Sequence, residues 1–347
     1  MKKAKQTYVL SSLILAAALV GGVSVPASAA VSDDVDVTKI AFALDGAASG
    51  DVDGIDDSDV LARTVNQPVD ESGEVAINVT TGDVAVLVPA SASGSVQVGV
   101  GSEAILIDRP FAETAGTAVE IQPGVVANGN SNGTTTVTAV KDDGAVQIAT
   151  ILDGVDSPER FEYELGLPVG SRLEAKDGLI FIFSSDDTLI GGFTPAWARD
   201  ANGVDVPTHY ELDGTTITQV VEHRAMDSTV YPVVADPAYA RGMISQVKWE
   251  RWANGGYELR LTVTALARAT QRVNPGFVYK AGLDDLREHH PNSMQYKTMA
   301  QQWDCHVVGL PGTINIDLES YRRSWDGWRA GILPALIQKN PAAACNW

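Results

Sequence analysis

The chain has 347 residues, 45% of them hydrophobic, and a formal net charge of −19. This length allows two or three domains with at least one sizeable core, and the composition excludes a fully disordered chain. The charge is uneven: residues 31–150 carry 4 basic and 19 acidic side chains, 151–240 carry 5 and 16, and 241–347 carry 13 and 9. Nucleic acid is excluded as a partner of the whole protein, because phosphate binding needs a concentrated basic surface.

Residues 1–29 have the pattern of a secretory signal peptide. Three lysines precede the apolar run 9–20, and small residues before the predicted cleavage site after Ala29 suit a signal peptidase. Cleavage after Ala30 is the alternative. The apolar run is shorter than the roughly 20 residues that a membrane span needs. We therefore expect a secreted or extracellular protein, with cell-wall association left open and no membrane span after cleavage.

Residues 30–72 predict an acidic, flexible lead-in. The stretch 51–59 places carboxylates at alternate positions around Gly54, as a Ca²⁺ loop does. The register does not fit such a loop, because Ser49 stands where the first carboxylate belongs and no glutamate follows at the twelfth position. A solvated acidic linker is the favoured interpretation, and calcium binding is the alternative.

Residues 73–237 alternate apolar and polar side chains with a period of two. Short runs such as Val75–Val79 are separated by turns rich in Gly, Asp and Asn. Asp213-Gly214, between two alternating runs, is the strongest hairpin signal. The pattern predicts an antiparallel β-sandwich, and a division into two subdomains near residue 155 is left open.

Residues 238–347 predict a small α+β domain. A hairpin is expected over 246–264, where one face of each strand is apolar. A short helix follows over 281–289. A second helix, capped by Ser293, carries an apolar stripe that ends at Trp303. The predicted fold is therefore mainly β, an antiparallel sandwich followed by an α+β domain.

The two cysteines of the chain, Cys305 and Cys345, both lie in this last domain. Export places them in an oxidising compartment, where a disulfide is expected. Two cysteines alone do not complete the four-ligand set of a structural zinc site. We therefore predict one disulfide that closes the C-terminal domain.

Two parts of the chain resemble secreted actinobacterial proteins. Phe161–Leu165, Ala196–Asp200 and Tyr231–Pro237 resemble a β-rich segment that precedes variable C-terminal modules in such proteins. This resemblance implies a domain boundary after Pro237. It implies no chemistry.

The C-terminal module resembles a secreted actinobacterial family, the domain of unknown function 2599 family. The resemblance rests on Trp303–His306 (WDCH), Asn315–Arg323 (NIDLESYRR) and Cys345–Trp347 (CNW). The family's middle motif reads Asn-Leu-Glu-Pro-Trp-Arg-Pro and its end Cys-Asn-Pro, so both middle prolines are missing and Trp347 replaces the last one. The resemblance covers residues 241–347. It implies a Cys305–Cys345 disulfide and a role at or outside the cell surface, and it supplies no catalytic residue.

His306 and Glu319 are the candidate catalytic residues. Both lie in the motifs that carry the resemblance, and a His–carboxylate pair could act as an acid and base in a secreted hydrolase or toxin. His289 and His290 are adjacent and point to different sides of a helix, so ligand spacing for a metal is missing. The chain also lacks a nucleophile elbow, a phosphate loop and a dinucleotide fingerprint. We expect neither a metal nor a cofactor.

An aromatic and basic segment near the C-terminus is the candidate binding surface. It contains Tyr321, Arg322, Arg323, Trp325 and Trp328. Aromatic faces and guanidinium groups suit glycans or anionic wall polymers, whereas the alternative is that these aromatics fill a small core. The leading prediction is a non-catalytic binding protein whose partner is a cell-wall polymer or an extracellular protein. The alternatives are the hydrolase or toxin and a purely structural envelope protein.

Overall fold

The computed structural model describes residues 35–49, 58–70, 73–99, 101–253, 255–310, 312, 314–330, 334 and 345. The strands, numbered in chain order, are β1 Val75–Thr81, β2 Val84–Pro89, β3 Val96–Val98, β4 Ile105–Ile107, β5 Val119–Gln122, β6 Val125–Gly129, β7 Thr134–Val140, β8 Val146–Leu152, β9 Arg160–Gly166, β10 Arg172–Lys176, β11 Leu179–Phe183, β12 Leu189–Phe193, β13 Trp197–Arg199, β14 Thr208–Asp213, β15 Thr216–Val221, β16 Val233–Asp236, β17 Ala238–Arg241, β18 Ile244–Arg251, β19 Tyr257–Val263 and β20 Asn315–Glu319. The α-helices are α1 Val37–Ala48, α2 Ala265–Val273, α3 Pro275–His289 and α4 Lys297–Asp304.

Two antiparallel sheets form the predicted β-sandwich, which is confirmed. One sheet has the order β1-β2-β3-β4-β9-β15-β14, and the other runs β10-β11-β12-β17-β8-β7-β6-β5 with β16 and β13 attached beside β8. Val86, Ile107 and Tyr163 of the first sheet share one core with Ile148 and Phe193 of the second. Each sheet combines strands from both sides of residue 155, so strands β1 to β17 belong to one sandwich.

Helix α1 covers part of the outer face of the second sheet. The carboxylate of Asp36 caps it by accepting hydrogen bonds from the backbone nitrogens of residues 38 and 39 at 3.1 and 3.3 Å. Ile40 and Leu44 are buried and pack in a cluster with Trp197. The expected flexible lead-in over 30–72 is therefore wrong at this helix. An apolar stripe with helical period is present there, although the acidic stretch beside it dominates the composition.

The C-terminal region begins later than predicted. Strand β17 pairs with β12 and β8 inside the second sheet, so the predicted domain start at 238 lies within the sandwich. After Gly242 the chain forms a three-stranded antiparallel sheet, β18-β19-β20, whose apolar face packs against α2, α3 and α4. Leu259 and Trp303 of this module share a core with Phe181 of the sandwich. The described parts of both regions lie in one compact unit.

The helices of the module differ in detail from those predicted. Helix α2 is absent from the prediction and begins at Ala265, with Thr264 as its N-cap: the hydroxyl of Thr264 accepts from the backbone nitrogen of Ala267 at 3.1 Å. Helix α3 starts at Pro275, earlier than expected, with Asn274 as its cap. Ser293 does not cap α4, because its hydroxyl donates to a carbonyl of α3 at 3.4 Å. The N-cap position is three residues further on.

Trp303 anchors the module and needs a glycine opposite it. Its indole Nε1 donates to the carbonyl of Tyr279 at 3.0 Å, and the ring is fully buried. A Cβ atom at Gly282 would lie 2.3 Å from the indole carbon Cζ2. Helices α3 and α4 can therefore approach this closely because residue 282 has no side chain.

Helix α4 continues into a π-helical turn, Cys305–Gly309. Cys305 at its start forms the predicted disulfide with Cys345, which is confirmed, with a Cα–Cα distance of 5.5 Å. Both half-cystines are buried together with Trp328. The turn and the disulfide therefore fix the chain next to His306, and π-helical turns are frequent at functional sites.

Candidate functional site

The most developed surface of the module lies at one end of the three-stranded sheet. Strand β18 ends at Arg251, which pairs with Tyr257 at the start of β19. The backbone of Tyr257 also bonds to Ser320, donating to its hydroxyl at 2.7 Å and accepting from its nitrogen at 2.9 Å. The residue after Ser320 is thereby held next to the residue after Arg251. These two residues are Tyr321 and Trp252.

Five aromatic side chains gather at this end, and we call them the aromatic cluster: Trp249, Trp252, Tyr257, Tyr296 and Tyr321. The rings of Trp252 and Tyr321 lie 5.3 Å apart between centroids, at 60°. Tyr257 contacts Trp249 at 5.0 Å and Tyr296 at 6.1 Å. Tyr321 is 59% exposed and Tyr296 48% exposed, whereas Tyr257 is buried. The cluster thus has two sets of ring contacts, one centred on the buried Tyr257 and one between Trp252 and Tyr321, and each set includes an exposed tyrosine. The buried Tyr257 forms the base of the first set.

Tyr257 fixes this base through its hydroxyl group. The hydroxyl donates to the carbonyl of Ser293 at 3.0 Å, and burial raises its pKa. A buried tyrosine whose hydroxyl has a partner keeps one orientation. The exposed ring of Tyr296, which contacts Tyr257, is therefore presented on a rigid support, which reduces the entropy lost on binding.

Two arginines lie over rings of the cluster. The guanidinium carbon of Arg251 is 5.5 Å from the centroid of Trp249, and that of Arg322 is 5.6 Å from Tyr321. Both distances fall within the range of cation–π attraction. Arg322 also forms an ion pair with Glu319, so its charge is neutralised, while Arg251 is exposed.

The outer face of the three-stranded sheet carries charges of both signs beside the cluster. Arg260 lies at its centre and pairs with Glu258 at 2.7 Å and with Glu250 at 2.9 Å. Asp317 is 4.0 Å from Arg260, and burial followed by repulsion from Glu258 raises its pKa. This face therefore offers no strong field of either sign to a ligand on the cluster.

The predicted binding residues do not form one patch. Trp328 is 4% exposed and packs against the disulfide. Trp325 is 37% exposed, and its backbone nitrogen donates to the side chain of Gln301 at 3.0 Å. The carbonyl of Arg323 accepts from the hydroxyl of Thr298 in α4 at 3.3 Å. Of the five predicted residues, Tyr321 belongs to the aromatic cluster and Arg322 lies over its ring. Residue spacing in the sequence does not indicate which of the five lie together.

His306 and Glu319 come close together but do not form a hydrogen-bonded pair. Glu319 accepts from the hydroxyl of Tyr321 at 2.6 Å and from Arg322. His306 is 7% exposed, and among the described residues neither ring nitrogen has a hydrogen-bond partner. Both nitrogens are sealed from solvent, so a substrate would reach them only after the surrounding chain moved. This arrangement does not favour the acid–base interpretation.

The pKa of His306 reflects its surroundings. Burial lowers it to about 4, and the nearby charge of Arg322 acts in the same direction, while Glu319 opposes them. The ring is therefore neutral at physiological pH. It is a buried polar group whose desolvation is not offset by a hydrogen bond in the described part of the chain, an arrangement that costs stability.

Within the described residues, no group of three or more His, Cys, Asp or Glu side chains could hold a metal ion. His289 instead bonds to Asp285 of the same helix at 3.0 Å, which raises its pKa to about 9. His290 is 4.0 Å from Asp83 of the sandwich. Most of the stretch in which calcium was considered, 51–57, lies outside the described residues.

Two clefts of about 290 Å³ each lie where the module meets the sandwich. They share Leu189, Gly242, Asp285 and His289 as lining residues. The ionic groups at their centre are bonded to each other, since the imidazole of His289 contacts Asp285. Neither cleft is lined by a residue of the aromatic cluster, and neither is lined by any of the predicted site residues.

No family model matches the chain, and the curated proteins give no match either. The resemblance of residues 241–347 to the domain of unknown function 2599 family therefore stays a prediction. In the part of the chain that the structure describes, no helix has both the length and the apolar character needed to cross a membrane.

Proposed function

We propose that the chain is a secreted, non-catalytic binding protein that attaches to a polysaccharide of the cell envelope through its aromatic cluster. The observation that carries this proposal is the exposure of Tyr296, whose ring contacts the buried, hydrogen-bonded Tyr257, and of Tyr321, whose ring contacts Trp252. Single exposed apolar side chains are common on protein surfaces, whereas aromatic rings gathered in one region mark an interaction site more often.

Sugar rings are the ligand chemistry that suits this surface best. Their C–H faces stack on aromatic rings, and their hydroxyl groups find partners in the tyrosine hydroxyls and in the exposed guanidinium of Arg251. Charge alone would not retain an anionic polymer here, since Arg322 is matched by Glu319 and Arg260 by three carboxylates. Stacking therefore provides most of the affinity, and salt should weaken binding little.

The remainder of the fold supports a role outside the cell. The disulfide between Cys305 and Cys345 is stable in an oxidising compartment, and the predicted signal peptide would deliver the chain there. The sandwich holds the module through a shared core that includes Phe181 and Trp303. On this proposal the sandwich is a rigid support, and the family resemblance adds a cell-surface setting without an activity.

Co-sedimentation with purified Gram-positive cell walls tests the proposal. The full mature chain is compared with Trp252→Ala and Tyr321→Ala, which remove the half-buried ring and the exposed ring that contact each other, and with Trp325→Ala as the matched control. Trp325 is an exposed aromatic of the same segment, and its backbone nitrogen bonds to Gln301 of α4. We expect each cluster variant to lose roughly tenfold in affinity, as loss of about 1–2 kcal/mol of stacking implies.

The control decides between specific and general adhesion. Trp325→Ala should sediment with the walls as the unchanged protein does, at both low and high salt. Equal loss in all three variants would indicate non-specific hydrophobic adhesion. Absence of binding by the unchanged protein would refute the proposal for wall polysaccharides.

A further inference from the structure

A series of contacts leads from the aromatic cluster towards a buried imidazole. Trp252 contacts the ring of Tyr321, and the hydroxyl of Tyr321 donates to Glu319 at 2.6 Å. The other carboxylate oxygen of Glu319 accepts from Arg322. Gln302, four residues before His306 on the continuous helical run of α4 and the π-helical turn, bonds to the backbone carbonyl and nitrogen of Glu319 at 2.9 Å each. This pairing brings the charges of Glu319 and Arg322 near the ring of His306. The position of the exposed ring therefore depends on an ion pair next to a titratable group.

The surroundings of His306 do not stabilise the protonated form of its ring. Its backbone carbonyl accepts from Gln271 of α2 at 3.3 Å, which fixes the residue, but the ring nitrogens contact no partner among the described residues. Arg322 and Glu319 are the charged groups that act on the ring there. Asp304 of α4, two residues earlier, is already paired with Arg329 at 3.1 Å.

We infer that His306 is a proton-sensitive element that releases Tyr321 from its binding position when the buried ring becomes charged. This inference rests on the proposed function, since it describes how binding by the aromatic cluster would be regulated. The released partner is the wall polysaccharide, and the signal is acidification outside the cell.

The electrostatics set the direction of the change. At neutral pH one carboxylate, Glu319, is shared by one cation, Arg322, and by the hydroxyl of Tyr321. A proton on His306 adds a second cation beside the first in a poorly solvated site. Repulsion between the two cations, and attraction of Glu319 to the new one, both weaken the bonds that hold Tyr321. Exposure of the charged His306 ring to water relieves this repulsion and displaces Tyr321.

Variants at His306 distinguish protonation of the imidazole from protonation of the nearby carboxyl groups. Glu319 and Asp317 are acids themselves, so acid could weaken the site without His306. A variant without the imidazole keeps both carboxyl groups and loses the buried charge. His306→Gln is the polar replacement, and His306→Leu is the apolar one, which suits a ring that makes no hydrogen bonds in the described residues. At least one of the two should fold.

Nuclear magnetic resonance of the full mature chain follows the switch without a ligand. The indole N–H of Trp252, assigned with a Trp252→Phe variant, reports on the contact with Tyr321. The indole N–H of Trp303, which donates to Tyr279, reports on the module's core. We expect the Trp252 signal to shift between pH 6 and pH 4 while the Trp303 signal stays in place. In both His306 variants the Trp252 shift should disappear or become much smaller.

Co-sedimentation with cell walls at pH 7 and pH 4 then tests the regulation. The unchanged protein should lose roughly tenfold in affinity at pH 4, within the usual range of coupling between two sites, and the His306 variants should keep theirs. Equal acid loss in the unchanged protein and in the variants would overturn the inference. So would simultaneous loss of the Trp252 and Trp303 signals, which would indicate unfolding. Failure to bind walls at pH 7 would refute the proposed function alone, because the Trp252 titration still tests the switch.

Discussion

Replacement of His306 by Leu should remove a specific part of the protein's acid sensitivity. Burial and Arg322 hold the pKa of His306 at about 4 in the native chain, against 6.5 for an ordinary histidine. The unfolded chain therefore takes up this proton more readily than the native chain does. The native state therefore has its full stability above pH 6.5, where the ring is neutral in both states. It loses stability as pH falls from 6.5 through 4, because the unfolded chain takes up the proton first.

The size of the effect follows from the gap between the two pKa values. Roughly 2.5 units at 1.36 kcal/mol each correspond to roughly 3 kcal/mol of unfolding free energy at pH 4. Burial of the ring is nearly complete, so solvent screening reduces this figure little. Such a loss is a large fraction of the stability of an ordinary domain.

Urea unfolding at pH 7 and pH 4 measures this contribution. Between the two pH values, the unchanged protein should lose roughly 3 kcal/mol more than His306→Leu, because all carboxyl groups titrate in both proteins. His209→Leu, at an exposed histidine with Glu211 and Glu222 as surface partners, is the control and should behave as the unchanged protein. Equal pH dependence of the unchanged protein and His306→Leu would refute the reasoning.

Three further changes test the fold by urea unfolding. Replacing both Cys305 and Cys345 with Ser opens a loop with a sequence separation of 40 and should cost roughly 4 kcal/mol; a cost near zero would contradict the loop-entropy argument. Gly282→Ala places a Cβ atom 2.3 Å from Trp303 and should cost roughly 1–3 kcal/mol, unless the helices separate easily. Leu44→Ala, at a buried position of α1, should cost about 2–5 kcal/mol, whereas an unchanged midpoint would mean that α1 does not pack on the sheet.

Local patterns were sufficient to predict the sandwich and the hairpin of the module. In β9, Phe161, Tyr163 and Leu165 are buried, while the residues between them are exposed, as a period of two requires. The same alternation placed Tyr257–Val263 in a strand. The disulfide followed from the presence of two cysteines in a chain predicted to be exported. Strand alternation depends on residues that are close in the sequence, so the sequence alone is enough to predict it.

The acidic composition of residues 30–72 as a whole does not indicate helix α1. Ile40, Ala43, Leu44 and Ala47 are spaced as one helical face, and all four are buried. The acidic residues of 51–59 lowered the hydrophobicity of the whole segment and concealed this face. A shorter window, with Asp36 as a cap, would have indicated the helix.

The aromatic surface was missed for a different physical reason. Trp325 and Trp328 are close in sequence, but one is half exposed and the other is packed on the disulfide, because the chain between them is not a continuous helix. Trp252 and Tyr321 are far apart in sequence and meet through the bonds between the backbone of Tyr257 and Ser320, the residue that follows β20. Pairing of that kind requires the register of strands, which residue spacing does not give.

The most direct test of the central claim is a titration of the full mature chain with soluble polysaccharide fragments released from the same cell walls. The indole N–H signals of the tryptophans are followed by nuclear magnetic resonance. The account predicts that Trp249 and Trp252 shift with increasing ligand, while Trp325 and the buried Trp328 do not. Shifts confined to Trp325, or no shift of any tryptophan at saturating fragment concentrations, would contradict it.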